Sequence, residues 1–162
     1  MAGAATGRRA FDGAGRRSGS EMAFRVGAEH FPHGADIGVR GIGHTEAEAF
    51  EQAARALTEI VTEAKRVVPC DAVDIECSAP SEGLLLADWL NRLIFEMAVR
   101  HMLFSRFVVT IERGHLWGRA WGETIDPARH APAVEPKGAT FTELKVEQRA
   151  DGAWIAQCVV DV

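Results

Sequence analysis

His33-Gly34-Ala35-Asp36-Ile37-Gly38-Val39-Arg40-Gly41, with Gly43-His44-Thr45-Glu46-Ala47-Glu48 behind it, changes its hydrophobic period from two to 3.6 in one short stretch. Ile37 and Val39 alternate with small residues, as in a buried strand, and the strand is entered through a His and a lone carboxylate. Thr45-Glu46-Ala47-Glu48 has the form of a capping box, with the Thr hydroxyl and Glu carboxylate satisfying free backbone donors reciprocally. Behind the box, Phe50, Ala53, Ala54, Leu57, Ile60, Val61 and Ala64 recur at helical spacing. The spacing predicts a helix over about 46–65, closed by Pro69. Asp36 therefore sits where an irregular approach becomes a strand, close to a turn into a helix. Rigid elements hold a residue in such a place while loops leave it accessible.

Outward from that stretch, 23–41 reads as one strand with an irregular entry at His30-Phe31-Pro32-His33. Val73, Ile75 and Cys77 alternate with Asp74 and Glu76, a half-buried strand over 71–77. Residues 84–97 are apolar around most of a helical circumference, leaving Asp88, Asn91, Arg92 and Glu96 on a narrow face. The period then returns to two: 107–111 and 116–121 flank Arg113-Gly114 as a hairpin. Residues 122–138 hold three of the six prolines and read as a loop, and 139–147 with 153–160 form a second strand pair. Two long helices among strands and hairpins predict a single α+β domain, a largely antiparallel sheet with both helices packed on one face.

The chain has 162 residues, 47% hydrophobic and 25% charged, enough apolar material for one cored domain. Its net charge of −5 excludes the basic footprint of a self-sufficient nucleic-acid binder, so any action on RNA is expected to run through a partner. No apolar run approaches the ~20 residues of a membrane span, and no membrane role is expected. Cys70, Cys77 and Cys158 form no CxxC pair and read as reduced residues of a cytoplasmic protein. Residues 1–21 are mostly Gly, Ala, Ser and Arg, with two basic pairs and only Met1 and Phe11 as large apolar groups, too few to offset their ordering entropy. They read as a disordered basic tail or a start assigned too early, with Met22 the true one. Residues 22–162 are the expected domain.

Asp161 and the carboxyl group of Val162 follow directly on the last strand. If that strand lies beside the first, Asp36 brings a third carboxylate. Such oxygen clusters suit hard divalent cations, whereas isolated carboxylates are simply solvated, and the residues alone leave both readings open. His33 reads as a metal ligand, a proton carrier or a structural histidine. His130 and Asp126 read as a pair that shapes the Pro-rich loop. Lys137, at the start of a strand, suits a phosphate or a partner's carboxylate, or else plain solvation. Asp88 and Asn91 share a helix face and read as solvated. There is no GxxxxGK[ST] loop, no GxSxG and no Rossmann spacing, so nothing marks a self-sufficient enzyme.

Five blocks resemble the archease family, in order over about 28–162: 33–39 with 45–50, 84–93, 122–130 around Glu123, Asp126 and Arg129-His130, 137–140, and Val160-Asp161-Val162. The resemblance implies a non-enzymatic protein cofactor in tRNA splicing or RNA repair. Its partner is a GTP-dependent RNA ligase, which it activates by promoting guanylylation of the active-site histidine and multiple turnover. The resemblance also implies a divalent-metal site at Asp36, Asp161 and Val162, with Ca²⁺ favoured and Mg²⁺ or Mn²⁺ as alternatives. A functional lysine falls at Lys137, with His33 and His130 as supporting residues and RNA met only through the ligase. The chain departs from the family's Asp-His-Thr-Ala-Asp at Pro32 and Gly34. It has Gly138 where Ala follows the lysine, and Phe141-Thr142 where Tyr-His is usual. The competing readings are a chaperone-like adaptor for nucleic-acid enzymes and a metal-dependent hydrolase using Asp36, His33 and Asp161.

Overall fold

What reads as one strand over 23–41 is a hairpin of two, β1 (Gly27–His33) and β2 (Asp36–Gly43), paired from Gly27↔Ile42 to His33↔Asp36. The turn is Gly34-Ala35, with Gly34 at φ +59, so the position where the chain departs from the family's threonine is one that favours glycine. β1 hides in the sequence because its Glu29, His30, Pro32 and His33 carry no apolar alternation, and Pro32 is tolerated because β1 is an edge strand. This computed structural model describes residues 24–162, and the tail expected over 1–21 lies outside the described residues.

After β2 the elements are α1 (Glu46–Val61), a single 3-10 turn (Ala64–Arg66), β3 (Asp71–Ser78), α2 (Glu82–Arg100), β4 (Met102–Glu112) and β5 (His115–Thr124). A short helix α3 (Pro127–His130), β6 (Gly138–Ala139), β7 (Lys145–Gln148) and β8 (Trp154–Asp161) complete the chain. This is the expected α+β domain with antiparallel strands and two long helices. The strands divide into two sheets, β1-β2-β8-β6 with β7 also on β8, and β3-β5-β4.

The capping box forms as read. Thr45 Oγ1 accepts from Glu48 N at 3.1 Å, and Glu48 Oε1 accepts from the backbone of His44, one residue before the cap, at 2.9 Å. α1 ends at Val61, short of the expected 65. Thr62 is extended, and its hydroxyl donates to His130 O at 2.6 Å instead of prolonging the helix. α1 lies almost directly on the β2 backbone: a Cβ at Gly41 would collide with Ala49 O and Ala53 N, and one at Gly43 would reach Ala49 N at 2.6 Å. α2 crosses α1, with Trp89 fully buried and its Nε1 donating to Phe50 O at 3.1 Å.

Two more segments differ from the sequence reading. The 122–138 loop is partly regular, since β5 runs on to Thr124 and Asp126 caps α3 by accepting from Ala128 N and Arg129 N. The strand expected over 139–147 is broken into β6 and β7. Thr140 N donates to Val159 O, Thr142 O accepts from Val159 N, and Glu143 takes φ +53, so 140–144 bulges away between them.

Candidate metal and partner site

β2 and β8 run antiparallel with Ile37 opposite Val160. One step beyond that pair stand Asp36, the first residue of β2, and Asp161, the last of β8. Residues opposite one another in an antiparallel ladder present side chains to the same face. His33 opposes Asp36 across the hairpin and Gly138 opposes Asp161, so His33, Asp36, Asp161 and Gly138 form one row across the sheet end. α1 covers the opposite face, where Val39 is buried and Gly41 meets the helix backbone, so the row faces away from the core.

Local contacts fix this end. Val162 N donates to Asp36 Oδ1 at 3.4 Å, and Lys137 N donates to Asp161 O at 2.8 Å. Asp36 and Val162 are half-buried, while Asp161, His33 and the Lys137 side chain are exposed. Among the described residues Lys137 has no carboxylate partner, and its side chain is exposed. Asn91, which the sequence reading left to solvent, clamps the outer side of β6: its amide accepts from Ala139 N at 2.8 Å and donates to Ala139 O at 3.1 Å. The clamp lets a two-residue strand hold its register and so holds Lys137 in place. A single amide on an otherwise Leu-rich helix is the one sequence signal for it.

His130 belongs to another cluster. It is 1% exposed, and its Nδ1 accepts from Asp126 N at 2.8 Å, which places the proton of the neutral ring on Nε2. Nε2 lies 3.6 Å from Glu123 Oε2. Glu123 is bonded by the Arg129 guanidinium and by Val68 N. The Arg129 contact above all holds its carboxyl at about 2, well below the usual range. Asp126 and His130 thus shape the loop, and His130 makes no contact with Asp36, Asp161 or Val162 among the described residues. Glu123 and Arg129 were legible only as members of a block.

The donors at the row are oxygens: the Asp36 and Asp161 carboxylates and the main-chain oxygen of Val162. Among the described residues no group of three His, Cys, Asp or Glu side chains is placed to hold a metal ion, so a cation here would draw on that main-chain oxygen as well as the two carboxylates. The donor set fits a hard cation that keeps several waters. A cleft of about 470 Å³ opens elsewhere, between α2 and residues 132–136, lined mainly by groups such as Ile94, Met97, Leu103 and Val134. It offers no convergent set of reactive groups.

A family model described as the Archease protein family (MTH1598/TM1083) matches residues 29–162. The protein archease of Pyrococcus furiosus is 37% identical over 138 residues, covering 83% of this chain and 97% of its own. That of Methanopyrus kandleri is also 37% identical, covering 83% and 98%. The solution structure of Methanobacterium thermoautotrophicum protein 1598 superposes with a TM-score of 0.73 at 32% identity, covering 84% of this chain and 99% of that one. A Thermotoga maritima crystal structure, described as an archease and possible chaperone, matches at a TM-score of 0.52 and 18% identity, a likeness of fold alone. No helix among the described residues is long and apolar enough to cross a membrane.

Proposed function

The chain belongs to the archease family, and from that premise we propose that it is a non-enzymatic protein cofactor of a GTP-dependent RNA ligase. It promotes guanylylation of the ligase's active-site histidine and so sustains multiple turnover in tRNA splicing or RNA repair. The observation that supports the reading is the row at the sheet end, where register brings Asp36 and Asp161 to one face, Val162 N donates to Asp36, and the backbone of Lys137 donates to Asp161 O.

Asp36, Asp161 and the main-chain oxygen of Val162 would hold a divalent cation, Ca²⁺ by preference and Mg²⁺ or Mn²⁺ as alternatives. A cation bound there supplies positive charge for a nucleotide's phosphates. Lys137, its backbone held by the bond to Asp161 and by Asn91's grip on the next strand, adds a second positive group on a flexible stem. The β2–β8 ladder pre-orders these groups, so little conformational freedom is lost when a partner docks. His33, on the same row and exposed, is the supporting side chain nearest in register.

The test is RNA joining by the cognate ligase, kept limiting over many turnovers, with wild type, Asp36→Ala and Asp161→Ala, alongside calorimetric titration of each with Ca²⁺. Stimulation by wild type that both variants lose, together with their Ca²⁺ heat, is the expected result. Stimulation surviving in both variants removes the carboxylate row from the mechanism. No stimulation by folded wild type overturns the activator reading and leaves the chaperone-like adaptor.

A further inference from the structure

β5, the central strand of the three-stranded sheet, carries planar π groups at four successive outward positions: His115, Trp117, Arg119 and Trp121. The intervening Leu116, Gly118 and Ala120 are buried against the helices, with the Trp89 ring of α2 filling the space a Cβ on Gly118 would need. No described element covers the other face of this sheet. Trp117 is 44% exposed there and the neighbouring Val108 45%. An uncovered sheet face normally carries polar residues, and aromatic groups left on one mark a binding surface.

The row is organised. The His115 and Trp117 rings lie 4.2 Å apart, and the Arg106 and Arg119 guanidinium carbons stand 4.7 and 5.9 Å from the Trp121 ring centroid. Asp74 bonds Arg119 at 2.6 Å and Glu76 bonds His115 at 2.7 Å, so these two carboxylates are used in fixing the row. Among the described residues Arg106, on β4, and Arg113, in the hairpin turn, have no carboxylate partner; Glu112 is the one acid of this face left similarly single. Counted with His115 neutral, Arg106, Arg113 and Arg119 balance Asp74, Glu76 and Glu112, so this face is formally neutral in a chain that is net negative. Outward side chains on one strand repeat every ~6.8 Å, so four of them span on the order of 20 Å, room for several splayed bases.

We propose that this row is a stacking platform for single-stranded RNA, with bases on Trp117 and the adjoining π groups and phosphates at Arg106 and Arg113. The choice of RNA over DNA rests on the reading that the partner is an RNA ligase. The chain's net charge of −5 argues against binding driven by phosphates, not against binding driven by stacking, whose free energy comes from π faces common to every base.

The experiment is fluorescence anisotropy of the full chain, without ligase, on a short labelled single-stranded RNA, the same sequence as DNA, and an RNA duplex. Tighter binding of the single-stranded RNA than of either other probe is expected, with quenching of Trp emission. Trp117→Ala should weaken it ~5- to 100-fold and Trp117→Phe much less, as stacking requires. Arg106→Gln should lower the salt slope by about one. Absence of binding, a Trp117→Ala variant that binds like wild type, or equal binding of DNA or duplex overturns the proposal. So does a Trp117→Ala variant that loses affinity for the ligase while wild type binds no RNA, which would make the face a protein-docking surface. Ligase stimulation without RNA binding defeats this inference alone, and RNA binding without stimulation supports it while defeating the activator reading.

Discussion

Cys77 and Cys158 show how position on a strand sets reactivity. Both are buried, and that burial pushes the Cys77 thiol up to about 11, with the nearby Asp88 adding to the shift, and the Cys158 thiol up to about 12. The thiolate is the nucleophile, so both are inert at neutral pH, whereas Cys70 is exposed. Alkylation of the native protein with iodoacetamide at pH 7.5, read by intact mass, should add one label at Cys70. All three should react only in denaturant. Their spacing showed that these cysteines form no CxxC pair, but not which one faces water. Asn91 shows the same limit. Sequence placed it on a polar face, and only the arrival of β6 beside α2 turns that amide into a clamp.

At the scale of elements, the two long helices announce themselves by period, yet their first residues, Glu46 and Glu82, meet in a way the sequence hides. Burial pushes the Glu46 carboxyl from 4.5 to about 7, and the facing Glu82 adds to the shift. In the unfolded chain Glu46 loses its proton near 4.5, so between there and 7 the folded state binds more protons than the unfolded state. Stability then falls as pH rises through this window. Glu46→Gln should therefore raise the melting temperature at pH 8 and leave it nearly unchanged at pH 4, as differential scanning calorimetry at the two pH values would show. A higher melting temperature for wild type at pH 8 would contradict this. The helices were legible because apolar residues at 3.6 spacing have one use. β1 and the β6–β7 break were not, because an edge strand with polar residues and a bulge fixed by carbonyl partners leave little trace in hydrophobic pattern.

At the scale of the whole molecule, alternation in the sequence identifies strands but not their partners. The antiparallel α+β class followed from the pattern; the division into two sheets did not, since β8 returns to β2 across more than a hundred residues. That same pairing gathers Asp36 and Asp161, so the candidate site was visible as a list of residues and became a place only through register. The two sheets share no strand, and α1 and α2 each pack against strands of both. The seam where α1 rests on Gly41 and Gly43 is backbone against backbone, with no side chain between them to change rotamer. Such a contact has nothing to loosen by degrees, so the helix and the strand can only part together. Amide protons of Val39, Gly41 and Ala53 should then exchange with deuterium only through global opening, at one common free energy equal to that of unfolding. The seam would thus act as the molecule's clock, keeping its slowest time while the outer strands β1 and β7 exchange far sooner.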